Sequence, residues 1–427
     1  MSESTAAKNC ETRSSAASGT QTKFLWRDRE MGTTKQLALF TPVQLGGIRL
    51  KHRVVMSPLT RSRSTQPDSI PNDLMREYYG QRASDGGLVI TEATNISLTS
   101  RGWAGAPGIY TKEQIQGWKR ILAAVHAKGG VMISQLWHTG RSSHITMTGG
   151  QPPVSASVNP CYWQDPNHLI STPSGWVTPS PHRALTVAEI AGIVEDYRTA
   201  AQNAKRAGFD GIELHAANGY LVDQFLQDNS NKRTDEYGGS IENRSRFLLE
   251  IVRALTSVWP ADRVAVRIGP GGTFNDMSDS DPGALFGYVA EQLNRFGLAY
   301  LHVIQSRVKG DVVVHEGLPP IASESMGKIF NGAIVAAGGF EPDTAEETVK
   351  NGGAAAIAFG RHFISNPDLP RRIREGLPLA KYDRSTFYTL EAHGYTDYAN
   401  YSAEPETPSS IGFEVSSSSE PRLCPTK

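Results

Sequence analysis

Short apolar runs alternate with longer amphipathic segments along most of the chain. The runs are mostly apolar at every position, which is typical of parallel strands that are covered on both faces. The segments between them carry apolar residues at helical spacing, and two begin with capping boxes, at Thr111 with Gln114 and at Thr186 with Glu189. The eight predicted strands are Val54–Ser57, Leu88–Glu92, Val131–Leu136, Gly211–His215, Val264–Ile268, Tyr300–Ile304, Ala333–Ala336 and Ala356–Phe359.

Eight strand–helix units in succession predict an α/β fold, a (β/α)8 TIM barrel. A doubly wound open sheet is the alternative, but eight evenly spaced units close into a ring more naturally than they stay open. The connection after the third strand, His138–Arg183, is long and rich in Pro, Gly, Ser and Thr. Because long connections are often functional, we expect an excursion over the barrel mouth.

The two ends of the chain depart from this pattern. Residues 1–35 are rich in Ser, Thr and Ala without apolar periodicity, and residues 401–427 are rich in Ser, Pro and Glu. Such compositions do not supply a hydrophobic core. We therefore predict a disordered leader and a disordered tail on either side of one domain, the barrel with a C-terminal extension, at residues 36–400.

Composition and charge exclude several classes of protein. Lys and Arg together number 43, as do Asp and Glu, so the basic surplus typical of nucleic-acid binding is missing. No apolar run approaches the roughly 20 residues of a membrane span. The cysteines Cys10, Cys161 and Cys424 have no metal-ligand spacing and no disulfide pattern. We predict a cytoplasmic enzyme without a metal, a nucleic-acid partner or a membrane partner.

Glycine-rich turns follow the last two predicted strands. Gly338 and Gly339 come after the seventh strand, and Gly360 with Arg361 comes after the eighth. Loops at these two places often bind phosphate in barrels, because glycine lets backbone N–H groups approach and arginine binds phosphate bidentately. Ordinary tight turns are the alternative, but the two signals together favour a phosphate-bearing ligand.

The fourth strand runs into a second candidate site. His215 and Asn218 can both donate hydrogen bonds to one substrate oxygen, and Tyr220 can exchange a proton. A structural role for His215 is equally consistent with the spacing alone. A metal site is disfavoured because no cluster of Cys or carboxylate ligands accompanies these residues. Trp103 and Trp118 are interpreted as packing residues.

Several longer motifs resemble those of one known family. His215–Leu226 reads HAANGYLVDQFL, and RTDEYGGSIENR follows at Arg233–Arg244. Further matches are SPLTR at Ser57–Arg61, QLWHTGR at Gln135–Arg141 and FGRHFISNPDL at Phe359–Leu369. In this order and over about residues 36–400, they resemble the old yellow enzyme family of FMN-dependent ene-reductases. The chain resembles in particular the members with a threonine beside the flavin and a His/Asn pair for the substrate.

The resemblance implies a role for each matching residue. Catalysis would rest on Tyr220 as the proton donor and on His215 and Asn218, which would bind the substrate's oxygen. The substrate cavity would be shaped by Trp137, Phe274 and Tyr388. Tightly bound FMN would be held by Pro58, Leu59, Thr60, Ala93, Gln135 and Arg267 around its ring and by Gly338, Gly339, Gly360 and Arg361 at its phosphate.

The family's chemistry implies a ping-pong reaction. NADPH or NADH reduces the FMN and leaves, and the alkene of an α,β-unsaturated carbonyl or nitro compound takes its place. Hydride passes to the β-carbon, negative charge builds on the oxygen, and the tyrosine protonates the α-carbon. Plant oxophytodienoate reductases of this family commonly carry His at the position of Asn218.

Two alternatives stay open at this point. One is a phosphate-binding barrel lyase or isomerase that uses no flavin, although no lysine stands at the predicted strand ends to form a Schiff base. The other is an inactive flavin-binding relative, although every position needed for reduction and protonation is present. A monomer or a homodimer is expected, and the sequence does not choose between NADPH and NADH.

Overall fold

Eight parallel strands close into a barrel at the centre of the fold. The structure, a computed structural model, describes residues 36–310, 312–313 and 323–402, within which a compact unit begins at Leu37. All eight predicted strands are confirmed, three of them with the predicted bounds at both ends. The barrel strands are β1 (Val54–Met56), β2 (Leu88–Ile90), β3 (Val131–Trp137), β4 (Gly211–Ala216), β5 (Val264–Ile268), β6 (Tyr300–Ile304), β7 (Ala333–Ala337) and β8 (Ala356–Phe359).

The ring closes between β3 and β4. Neighbouring strands pair in parallel from β4 through β8 to β1, β2 and β3. The last of these pairs again with β4, where Gly211 is in register with Ile133 and Leu214 with Leu136. The predicted TIM barrel is therefore confirmed, and the open sheet is wrong because an open sheet would leave two edge strands.

Helices surround the barrel, and two begin at the predicted capping boxes, with Thr111 before α2 (Lys112–His126) and Thr186 before α4 (Val187–Ala207). Asp281 accepts a hydrogen bond from the backbone N–H of Ala284 at the start of α7 (Pro282–Leu293). Trp118 of α2 is fully buried in the apolar cluster shared by helices and strands, as predicted. The helices are α1 (Asp73–Arg82), α2 (Lys112–His126), α3 (Pro160–Gln164), α4 (Val187–Ala207), α5 (Leu221–Leu226), α6 (Ile241–Thr256), α7 (Pro282–Leu293), α8 (Ser323–Gly327), α9 (Pro342–Lys350), α10 (Arg361–Ser365) and α11 (Leu369–Glu375).

Shorter elements complete the described part of the chain. Strands outside the barrel are Val43–Leu45, Ile48–Leu50, Thr94–Asn95, Val154–Ser155, Ile170–Thr172, Gly175–Val177, Arg183–Ala184, Val308–Lys309 and Val312–Val313, and 3₁₀ helices are Ala38–Phe40, Leu98–Ser100, Ala261–Arg263 and Arg384–Thr386. None of the described helices is long and apolar enough to cross a membrane. The predicted leader and the predicted tail beyond residue 402 lie outside the described residues.

The long connection after β3 forms an excursion at the barrel mouth. It contains α3 and an antiparallel hairpin in which Ile170 is in register with Val177. The ring of Trp176 in this hairpin lies 5.3 Å from that of Trp103 and 6.2 Å from that of Tyr388, measured between centroids. Both partners line the cavity at the carboxyl ends of the barrel strands, so the excursion reaches the mouth as predicted.

Two buried arginines attach the segment after α11 to the barrel. Arg61 and Arg63 follow β1, and their guanidinium groups donate hydrogen bonds to backbone carbonyls between residues 386 and 394. The ring of Tyr395 lies 5.2 Å and 4.7 Å from the two guanidinium carbons. Because arginine carries five donors in a rigid fork, each side chain can hold several carbonyls at once. This attachment holds Tyr388 at the cavity.

We expect Arg63→Met to loosen this segment before the barrel itself unfolds. The substitution removes the guanidinium donor of the Arg61, Glu391 and His393 carbonyls, and each buried group left unpaired costs on the order of 1–3 kcal/mol. Urea denaturation should therefore show a loss of about 3 kcal/mol in the free energy of unfolding, and hydrogen exchange should accelerate selectively in residues 386–394.

The matched control is Arg76→Met, which removes an exposed arginine that pairs with Asp73 on the surface at 3.1 Å. We expect this variant to change the free energy of unfolding by less than about 0.5 kcal/mol. Equal protection of residues 386–394 against hydrogen exchange in the two variants would contradict the proposed attachment.

Candidate active site

A large cavity opens at the carboxyl ends of the barrel strands. Its volume is about 1400 Å³, counting the open space at its mouth. The barrel thus brings together side chains from loops that lie far apart in the sequence. Every site residue predicted from the sequence lines this cavity: Pro58, Leu59, Thr60, Ala93, Gln135, Trp137, His215, Asn218, Tyr220, Arg267, Phe274, Gly338, Gly339, Gly360, Arg361 and Tyr388.

The end of β4 places a neutral imidazole in the cavity wall. The backbone N–H of Ala217 donates to Nδ1 of His215 at 3.3 Å, which leaves the imidazole proton on Nε2. Burial, reinforced by the charge of Arg267, holds the pKa of His215 well below its ordinary value. At neutral pH this side chain is therefore an uncharged hydrogen-bond donor.

A left-handed turn brings Asn218 to the same wall. The φ angles of Asn218 and Gly219 are +57° and +68°, in a region that asparagine and glycine adopt more readily than most residues. A Cβ atom at Gly219 would lie 2.6 Å from Cβ of Asn275, so the turn has no room for a larger residue. Asn275 also donates from Nδ2 to the backbone carbonyl of Asn218 at 2.9 Å. Packing and hydrogen bonding together fix the turn.

Tyr220 stands immediately before α5, between two aromatic neighbours. Its ring centroid lies 4.8 Å from that of Trp137 and 5.1 Å from that of His215, in edge-to-face contacts. Burial raises the pKa of Tyr220 well above its ordinary value. The phenol therefore keeps its proton at neutral pH and is available as a general acid in the cavity.

Arg267 on β5 brings a positive charge to the cavity wall. Burial lowers its pKa, Glu213 opposes that change, and the guanidinium stays charged at physiological pH. Its Nε is buried and has no hydrogen-bond partner within the part of the chain that the structure describes. An arginine donor left without a protein acceptor fits the electronegative pyrimidine edge of a flavin.

The turn after β7 is shaped to approach an anion closely. Gly338 and Gly339 have φ angles of +110° and +64°, and a Cβ atom at Gly338 would lie 2.9 Å from Val308. Arg307 braces the turn by donating from Nε to the Gly338 carbonyl at 2.7 Å. Arg361, the first residue of α10 just after β8, supplies a guanidinium. Glycine turns beside an arginine fit a phosphate monoester.

Sequence reasoning missed some of the residues in and around this site. Trp103 does pack, but it also lines the cavity, with its ring 5.0 Å from that of Tyr388, so its interpretation as a packing residue is incomplete. Glu213 and His302 form a buried pair inside the barrel, and the signal for them is a polar residue within an apolar run. Among the described residues, no group of three or more His, Cys, Asp or Glu side chains could hold a metal ion.

Comparison with known proteins identifies relatives along most of the chain. The sequence profile of the NADH:flavin oxidoreductase / NADH oxidase family matches residues 38–380. The flavin oxidoreductase hxnT of Emericella nidulans is 45% identical over 392 residues, which cover 86% of this chain and 99% of that protein. The family profile includes the whole barrel and every predicted site residue except Tyr388, which lies beyond residue 380.

Two solved structures share both the fold and the sequence. Morphinone reductase in complex with tetrahydroNAD superposes with a TM-score of 0.78 at 46% identity, over 86% of this chain and 98% of that one. An old yellow enzyme homologue from Zymomonas mobilis superposes with a TM-score of 0.79 at 40% identity, over 85% of this chain and 99% of that one. The chain therefore belongs to the NADH:flavin oxidoreductase / NADH oxidase family, the old yellow enzyme family of FMN-dependent ene-reductases.

Proposed function

We propose that the protein holds FMN in this cavity and reduces the activated C=C bond of α,β-unsaturated carbonyl or nitro compounds. The observation that carries the proposal is that a neutral imidazole donor, an amide and a protonated phenol meet in one buried cavity with an arginine cation. A lyase or isomerase without flavin is not favoured, since no lysine occurs in the described cavity wall. An inactive relative would not need to keep the complete set of donors.

Two parts of the cavity wall would hold the cofactor. Arg267 would meet the pyrimidine side of the flavin, and Thr60 would tune the ring through a hydrogen bond, as in the family members with threonine at this position. The remaining contacts would come from Pro58, Leu59, Ala93 and Gln135 around the ring and from Gly338, Gly339, Gly360 and Arg361 at the phosphate. When bound, FMN supplies the hydride that it has accepted from the nicotinamide.

The substrate's oxygen binds to His215 and Asn218 in this proposal. Both side chains donate hydrogen bonds to the atom where negative charge grows as the β-carbon receives hydride. Because the turn at Asn218 is fixed before the substrate arrives, little reorganisation is needed during the reaction. Tyr220 gives its phenolic proton to the α-carbon and recovers a proton from solvent. Trp137, Phe274 and Tyr388 would orient the flat alkene and exclude water.

The reductant is proposed to be NADPH or NADH. The structure of the related morphinone reductase with tetrahydroNAD supports a nicotinamide in this part of the reaction. We further propose that the enzyme acts as a monomer or a homodimer in the cytoplasm.

Purified protein is expected to be yellow and to take up one FMN per chain. Arg361→Leu should weaken FMN binding by about 10- to 100-fold, because hydrogen bonds to a charged group contribute roughly 1.5–3 kcal/mol. Fluorescence titration of the apoprotein measures the change, and riboflavin, which has no phosphate, should bind equally to both proteins. A colourless protein that does not take up added FMN would rule out the proposed function.

Tyr220→Phe should slow the reduction of the alkene by about 100- to 10,000-fold, which is the usual contribution of a general acid. Reduction of the flavin by the nicotinamide should hardly change, because that half-reaction needs no proton from the tyrosine. Stopped-flow absorbance separates the two half-reactions, and Tyr288→Phe on α7, outside the cavity, is the control. Equal slowing of both half-reactions would remove Tyr220 from its role.

His215→Ala combined with Asn218→Ala should abolish the binding of phenols, which would place a phenolate oxygen between the same two donors. Each single substitution should weaken binding by about 10- to 100-fold, since each removes one hydrogen bond to a charged oxygen. The charge-transfer absorbance of the phenol complex with FMN provides the titration signal. An unchanged titration in the double variant would refute the assignment of the oxygen site.

A further inference from the structure

A buried carboxylate inside the barrel takes no direct part in the proposed reaction. Glu213 lies on β4, two residues before His215, and it is fully buried. Gln135 donates to its Oε1 at 2.7 Å, and the Tyr300 hydroxyl and Nδ1 of His302 lie 2.9 Å from its Oε2. Burying a carboxylate inside a barrel is unfavourable in free energy unless an opposite charge or hydrogen-bond donors lie nearby.

Arg267 supplies the balancing charge. The strand register aligns it with His215 on one side and His302 on the other, so the three positions lie at one level of the barrel. Glu213 lies one side-chain repeat deeper on β4, on the same inward face. Burial alone would raise the pKa of Glu213, but the hydrogen bond from His302, the charge of Arg267 and the hydrogen bond from Gln135 hold it below its ordinary value.

The two histidines at the level of Arg267 carry no charge. Burial lowers the pKa of His302 and that of His215, so both rings are neutral. His302 then donates its Nδ1 proton to the carboxylate rather than forming an ion pair with it. The cation Arg267 therefore lies between two neutral histidines, and the anion Glu213 lies one level deeper on the same inward face.

We propose that Glu213 is a positioning residue that sets the reduction potential of the flavin through Arg267. The inference rests on the proposed function, in which Arg267 lies beside the pyrimidine edge of FMN. A lone cation at that edge favours the negatively charged reduced flavin, and the carboxylate behind it offsets part of this effect. Gln135 connects the level of Glu213 with the cavity, because its amide N–H donates a hydrogen bond to Glu213 and its side chain also lines the cavity. Glu213 thus keeps the reduced cofactor a strong enough donor to pass hydride to the alkene.

Glu213→Gln removes the charge while keeping the size of the side chain. We expect the ratio of the affinities for reduced and oxidised FMN to rise by about tenfold, which corresponds to about 30 mV in a two-electron midpoint potential. Spectroscopic titration against a reference dye measures this shift. Glu213→Asp keeps the charge but shortens the side chain, so its potential should stay near that of the wild type.

A merely structural role predicts a different result, since both variants disturb the same three hydrogen bonds. Equal potentials in the wild-type and Glu213→Gln holoenzymes would overturn the inference, as would an equal shift in the Gln and Asp variants. A wild-type protein that fails to bind FMN would contradict the proposed function itself, which distinguishes that failure from a failure of the role of Glu213.

A second measurement does not require the Gln variant to hold the cofactor. Arg267→Met leaves the carboxylate without its counter-charge and should lower the melting temperature of the protein. Adding Glu213→Gln to that variant removes the unbalanced charge and should restore part of the loss. A double variant that melts lower than Arg267→Met alone would show that the two residues are not coupled and would overturn the inference.

Discussion

The pairing of β3 with β4 is the interaction on which the rest of the structure depends. It joins the two ends of an eight-stranded sheet, so that no barrel strand is left with an unpaired edge. Because all eight strands are parallel, the same closure gathers their carboxyl ends at one mouth. His215, Arg267, Gly338 and Gly360 meet there, although each comes from a different strand.

Closure also creates an interior in which charges act strongly on one another. Water does not screen Glu213, Arg267 and His302 from one another, so each group affects the protonation of its neighbours. The proposed chemistry uses this property in two ways. A neutral His215 donates to the substrate without adding a charge, and Arg267 supplies a cation beside the flavin ring. The protein therefore shapes the field around a cofactor that carries out the redox step itself.

The barrel and most of the cavity wall could be predicted from the sequence. Strands buried on both faces leave uninterrupted apolar runs, and the family motifs carry the functional side chains with them. The attachment by Arg61 and Arg63 could not be predicted, since its acceptors are backbone carbonyls, which have no sequence signature. The Glu213–His302 pair depends on β4 and β6, which flank β5, turning these side chains into the same barrel interior, and Trp103 depends on how a loop folds back. These are consequences of tertiary structure that local patterns do not encode.

The left-handed turn at Asn218 limits which side chains can occupy this position, one of the two that are proposed to bind the substrate's oxygen. Among residues with a side chain, asparagine, aspartate and histidine enter this backbone region most readily. Aspartate would repel the growing negative charge and glycine offers no donor, whereas asparagine and histidine both fit the backbone and offer a donor. The histidine commonly found at this position in plant oxophytodienoate reductases satisfies the same two requirements, so one backbone geometry accepts either side chain as the second donor.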